Sequence, residues 1–149
     1  MTGSDEADVK VGGLAIWVRG RQFPSATDYW DGNWLVVSVL FEASGAVIRA
    51  EGSFLRTDEL ESFAEALARL DLLLVGRAAL APMEPVLRLE IAMAARGSAV
   101  AKVELRPSPQ QRHSIEFELD QSYFPAILAQ CRQVLRRFPV VGARAQPSA

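Results

Sequence analysis

The chain has 149 residues, 50% hydrophobic and 23% charged, which suits one globular domain with its own core and excludes both a disordered chain and two ordinary domains. Its net charge of −2 hides an asymmetry: residues 1–71 hold 12 acids and 6 bases, a balance of −6, while residues 72–149 hold 6 acids and 10 bases, a balance of +4. That balance does not favour nucleic acid, the lone Cys131 cannot form an intramolecular disulfide, and no signal core or run of about 18 apolar residues is present.

These bounds lead us to expect a cytoplasmic, soluble protein with no membrane or nucleic-acid partner. The domain is expected over residues 9–140. Met1 to Asp8, small and acidic, and Gly142 to Ala149, rich in Ala, Gly, Pro and Ser, read as flexible tails.

Val9 to Val18 is rich in Val, Ile, Leu and Trp and predicts a first strand, with Gly12 and Gly13 marking a bulge or an edge. Arg19 to Gly32 contains Pro24, Ser25, Thr27, Asp28 and the Asp31-Gly32 pair, which predicts a long loop ending in a turn. Asn33 to Glu42 is apolar on both alternating faces and predicts a central strand. Ser44-Gly45 supplies hairpin chemistry, and Ala46 to Leu55 answers as the antiparallel partner, with Ile48, Ala50 and Phe54 on a dry face and Arg49 and Glu51 on a wet one.

Thr57 is placed to cap the next helix, with Asp58, Glu59 and Glu61 in its first turn. Leu60, Phe63, Ala64, Leu67 and Leu70 recur at helical spacing as one buried stripe. Leu72 to Met83, apolar and Ala-rich, reads equally as an edge strand or a packed loop.

Three further alternating segments share a dry face: Val86 to Ala94, Val100 to Arg106 and Ser114 to Leu119, with a turn at Arg96-Gly97 and a polar loop from Pro107 to Arg112. The last helix takes Ser122 as its cap, which leaves Pro125 in the first turn where a missing N–H is harmless, and Asp120 as a supporting acid. Phe124, Ile127, Leu128, Cys131, Leu135 and Phe138 form its stripe.

Two helices with one apolar stripe each cannot cover both sides of a sheet, so they are expected together on the dry face. The prediction is a two-layer α+β fold with an antiparallel sheet of about six strands and two helices on one face, in the order βββα-βββα. Arg49, Glu51, Arg88, Glu90, Lys102, Glu104, Arg106, Glu116 and Glu118 then make the other face charged.

Catalytic and metal chemistry find little support. His113 reads as a solvated loop residue, and Cys131 as an inert thiol inside a helix stripe. One His and one Cys cannot assemble a zinc site of the usual ligand count, and no EF-hand spacing is present. Gly12-Gly13 lacks the further glycines and helix start of a phosphate loop. Glu116 with Glu118 reads as a solvated strand face rather than a glycosidase acid pair. We therefore expect no enzyme, cofactor or metal.

The run DYWDGNW, Asp28 to Trp34, is the chemically distinctive stretch. Tyr29, Trp30 and Trp34 stand beside two acids on a loop feeding a central strand, an arrangement that supplies rigid contact area with polar handles. Asp28, Tyr29, Trp30 and Asp31 are the partner-binding candidates. A structural turn, with Asp31-Gly32 making the bend and Trp34 and Tyr29 tucked under the sheet, is the other reading. Both stay open.

DYWDGNWL at Asp28 to Leu35, LRTDELESF at Leu55 to Phe63, LDQSYF at Leu119 to Phe124 and RFPV at Arg137 to Val140 resemble small bacterial immunity proteins of the WapI-like type. None of these pieces is a catalytic motif. The resemblance implies a non-catalytic binding protein that neutralises the toxic C-terminal domain of a contact-dependent, polymorphic toxin. Immunity proteins are often more acidic than −2; here the acids are concentrated in the first half, which the resemblance makes the expected contact for a basic toxin. A small-ligand binder, or a structural subunit of an oligomer, is the alternative.

Overall fold

The computed structural model describes residues 5–143. The elements run β1 (Val9–Val11), β2 (Leu14–Arg21), α1 (Tyr29–Gly32), β3 (Trp34–Ala43), β4 (Ala46–Arg56), α2 (Thr57–Leu73), β5 (Arg77–Leu80), β6 (Leu87–Met93), β7 (Ser98–Leu105), β8 (His113–Asp120) and α3 (Phe124–Arg137). They form two four-stranded antiparallel sheets, β1-β2-β3-β4 and β5-β6-β7-β8. The fold is α+β as expected, but the single six-stranded sheet and the two-helix count are corrected.

The two extra strands have identifiable causes. At Gly12-Gly13 the chain does not bulge but reverses, pairing Val11 with Leu14 across a tight turn. Gly12 takes φ +56°, and a Cβ on Gly13 would strike the backbone oxygen of Glu42, so the pair satisfies a left-handed position and a close approach at once. Within Leu72 to Met83, Arg77–Leu80 pairs with β6 and turns Ala78 and Leu80 inward. Four residues are too few to show a period. The extra helix, α1, is a single turn inside the expected Arg19–Gly32 loop.

Each half is thus four strands followed by a long helix. Helix α2 packs beside β5 of the second half and against α3, while α3 packs beside β1 of the first half, so the two helices do lie together. Leu60, Phe63, Ala64, Leu67 and Leu70 of α2 are buried as the spacing predicted. In α3 Phe124, Ile127, Leu128 and Cys131 are buried, with Val134 rather than Leu135 or Phe138 completing the buried set. Leu87, Leu89 and Ile91 on β6 and Ala101, Val103 and Leu105 on β7 supply the dry face of the second sheet. Its wet face carries Arg88 opposite Glu104 and Lys102 between Glu90 and Glu116.

Both expected caps are corrected. Arg56, not Thr57, is the N-cap of α2, and the Glu59 carboxylate accepts from its N–H at 2.8 Å. Thr57 is the first helical residue, and its hydroxyl is buried with no hydrogen-bond partner among the described residues. Before α3, the Asp120 carboxylate accepts from Ser122 N–H at 2.8 Å and opens a 3-10 turn, Gln121–Tyr123. That charge-assisted bond holds the Asp120 carboxyl below its ordinary range, and Tyr123, not Ser122, is the N-cap of α3.

Of the expected tails, residues 1–4 and 144–149 lie outside the described residues. Asp8 accepts from Val18 N–H at 2.7 Å and pairs with Arg137 at 2.8 Å.

Candidate functional site

Arg56 ends β4 directly opposite Trp34 on β3. Its side chain is 0% exposed, although arginine is among the residues least often buried. The guanidinium is met on every side. Nε donates to Asp58 Oδ1 at 2.9 Å, Nη1 to the Trp30 carbonyl at 2.6 Å and Nη2 to the Tyr29 carbonyl at 2.7 Å. Its Cζ lies 5.1 Å from the ring centres of Tyr29 and Trp30 and 5.0 Å from that of Trp34. A delocalised, weakly hydrated cation with a planar fork suits this combination of carbonyls, carboxylate and aromatic faces, where an ammonium would not.

The loop is shaped to reach it. Asp28 accepts from Asp31 N–H through its carboxylate at 3.0 Å and from Gly32 N–H through its carbonyl at 2.9 Å, closing the single turn of α1. Tyr29 and Trp30 meet edge to face at 5.2 Å, and Tyr29 Oη donates to Asp58 Oδ2 at 2.9 Å. Burial, then the hydrogen bond to and charge of Asp58, push the Tyr29 phenol above its ordinary range, partly opposed by Arg56.

A second clasp ties this loop to the C-terminal segment. Asn33, wholly buried, donates through Nδ2 to the Tyr29 and Val141 carbonyls at 2.8 and 3.0 Å and accepts from Val141 N–H at 2.9 Å. Arg21 donates to the Gly32 carbonyl at 2.6 Å and to the Pro139 carbonyl. A Cβ on Gly32 would lie 2.5 Å from Val141 Cγ2, so glycine lets the two segments touch.

Asp28, Tyr29, Trp30 and Asp31 are therefore brought together, with different surroundings. Tyr29 is half-buried against Arg56, Asp28 holds the turn, Asp31 is exposed, and Trp30 is 47% exposed. Trp34 is half-buried on the strand. At the same end of the molecule Phe23 and Met83 are exposed, Met83 donating its N–H to Glu59 Oε2 at 2.8 Å. Sequence reasoning missed Arg56 and Asn33. The available signal was an arginine closing an apolar strand, two residues before Asp58 and downstream of three clustered aromatics.

Other candidates sit apart. Cys131 is buried in α3, and desolvation pushes its thiol up to about 12, which suppresses the thiolate. His113 begins β8 half-buried, its Nε2 2.9 Å from Gln111 Oε1. The larger clefts lie where the two halves join, beside Lys10, Gly12 and Gln130, away from the aromatic loop.

Glu59 offers a pH test of this corner. Desolvation raises its carboxyl above the ordinary glutamate range, against the opposing pull of the Met83 and Arg56 N–H groups. An acid whose folded pKa is raised holds more protons folded than unfolded, so its contribution is full below the unfolded value and falls as pH rises through the folded one. The stability of wild type minus that of Glu59→Gln should accordingly fall as pH rises above the ordinary carboxylate range in urea melts. A difference that is flat or rises with pH would contradict this assignment.

The family model of the Immunity protein WapI-like family matches residues 6–139, nearly the whole chain. No curated protein and no solved structure matches it.

Proposed function

The chain belongs to the WapI-like immunity protein family, and from that premise we propose that it acts by binding, not catalysis, and neutralises a cognate toxin domain through the Asp28–Asp31 surface. The observation that supports this reading is Trp30: a large aromatic left 47% exposed while its backbone carbonyl and one ring face are fixed by a buried arginine. Holding an exposed ring in one geometry removes part of the ordering cost of association. Asp28 and Asp31 flank it, Phe23 and Met83 are also exposed large hydrophobics, and the acidic balance of the first half suits a basic toxin domain.

The toxin is sought in the reading frame immediately upstream, whose variable C-terminal domain should co-purify with this protein. Trp30→Ala is expected to weaken that complex by about 30-fold or more, the scale of an interfacial aromatic anchor. Asp31→Lys should slow association and remove part of its salt dependence. The Asp31 carboxylate takes no hydrogen bond or ion pair among the described residues, so its thermal melt should not move. Wild-type affinity in both variants, measured by calorimetry on the co-purified domain, would place the contact elsewhere.

A further inference from the structure

Strand β4 ends its sheet with an open edge, and its chemistry differs from that of the other edges. β1 has three residues, and its Lys10 N–H is taken by Gln130 Oε1 of α3 at 2.9 Å. β5 has four residues and lies beside α2. β8 exposes Ser114, Glu116, Glu118 and Asp120, so a second copy laid along it would oppose acid with acid. β4 is 11 residues long and has no proline or lysine. Its pairing with β3 is regular from Ala46 to Gly52, with the register shift only beyond, where Val36 lies opposite both Ser53 and Phe54.

Its free backbone groups can be located. In a two-residue hairpin the closing pair, Ala43 and Ala46, bonds inward and bonded pairs then alternate. Val47, Arg49 and Glu51 therefore turn N–H and C=O away from β3. Glu42, opposite Val47, agrees: its N–H points the other way and donates to the Gly13 carbonyl at 3.0 Å.

The geometry points to a second copy of this chain as the occupant of this edge, paired antiparallel about a two-fold axis at Ala50. Registers that keep the wet faces aligned differ by two residues. Centring on Arg49 opposes arginine with arginine, and centring on Glu51 opposes glutamate with glutamate. Centring on Ala50 sets Arg49 against Glu51 of the other copy, twice, and bonds both pairs through their outward backbone groups. Arg49 is exposed and makes no ion pair or hydrogen bond within the described residues, while Glu51 accepts only from Ser38 Oγ at 3.4 Å. The contact joins two four-stranded sheets into one and adds modest apolar area, because Ile48 and Ala50 are already buried and Val47 is the exposed apolar residue of this stretch. It is a weak, concentration-dependent dimer. This inference is independent of the toxin reading.

The test is sedimentation equilibrium of the full chain alone, from about 10 μM to 1 mM at low salt. The wild type should pass from monomer towards dimer over that range. Arg49→Glu and Glu51→Arg should each weaken the dimer by about tenfold or more, with unchanged thermal melts because both side chains are exposed. The two variants mixed should associate with each other, as the charges become complementary, and the double variant Arg49→Glu/Glu51→Arg should regain the wild-type dimer. A wild type that stays monomeric throughout would overturn the proposal. So would a dimer indifferent to both charge changes, which would place the contact on another surface, such as the exposed run Leu72 to Val75.

Discussion

Arg56→Met is expected to cost about 3–5 kcal/mol of folding stability, the scale seen when one partner of a buried ionic cluster is removed. Methionine approximates the volume but offers no donor. The Tyr29 and Trp30 carbonyls lose the N–H groups at 2.7 and 2.6 Å, and an orphaned buried acceptor costs about 1–3 kcal/mol. Asp58 keeps the Tyr29 hydroxyl but loses its cation. Arg56→Lys should fall short of rescue, because one ammonium cannot serve two carbonyls and a carboxylate in the plane of a fork. Urea melts give the loss. Native tryptophan emission gives its place, since Trp30 and Trp34 both lie against the guanidinium and should shift to the red as the loop lifts. A loss below about 1 kcal/mol with unchanged emission would mean that the cluster does not hold the loop.

Asn33→Leu is expected to cost about 2–4 kcal/mol, through three hydrogen bonds lost at a wholly buried position. The Tyr29 carbonyl keeps Arg56, but the Val141 N–H and carbonyl keep no side-chain partner. The C-terminal segment can lift into water and recover part of that cost, which sets the lower end of the range. Val141 should then exchange its amide hydrogen at the rate of an open segment, while the amides of β7 stay protected. Protection at Val141 equal to wild type would show that Gly32 packing and the Arg21 contacts suffice without Asn33.

The two variants bear on function through the same geometry. On the proposed binding reading, Trp30 serves as a contact only while Arg56 holds its carbonyl and Asn33 holds the turn behind it, so each change is expected to weaken the proposed complex as well. The long-range terms are what separate structure from binding at this loop. Asp28 and Tyr29 have structural roles visible in their hydrogen bonds, whereas the Asp31 carboxylate is exposed and takes no hydrogen bond or ion pair among the described residues.

The stripes of both helices, the wet and dry faces of β4, and the hairpin at Ser44-Gly45 were legible because each is a local period or a local turn. Ile48, Ala50 and Phe54 are buried and Arg49 and Glu51 exposed, as alternation alone requires. Strand number was not legible. Gly12-Gly13 carries the same residues whether the chain bulges or reverses, and the choice depends on how close Glu42 comes from another strand. Arg77–Leu80 acquires its identity as a strand only by pairing with Glu90 and its neighbours on β6. Arg56 was hidden because arginine at a strand end reads as surface, and nothing local announces that three rings 22 to 27 residues earlier will enclose it.

The sequence by itself determined the alternation of wet and dry faces along the strands, where the two long helices lie and which loop concentrates aromatic and acidic groups, since these follow from spacing and side-chain chemistry. Tertiary structure decided that eight strands divide into two sheets and that Arg56 and Asn33 fasten the aromatic loop to the C-terminal segment. Those outcomes depend on contacts between residues far apart in the chain, whose donors and acceptors can be matched only once the backbone has brought them within hydrogen-bond distance.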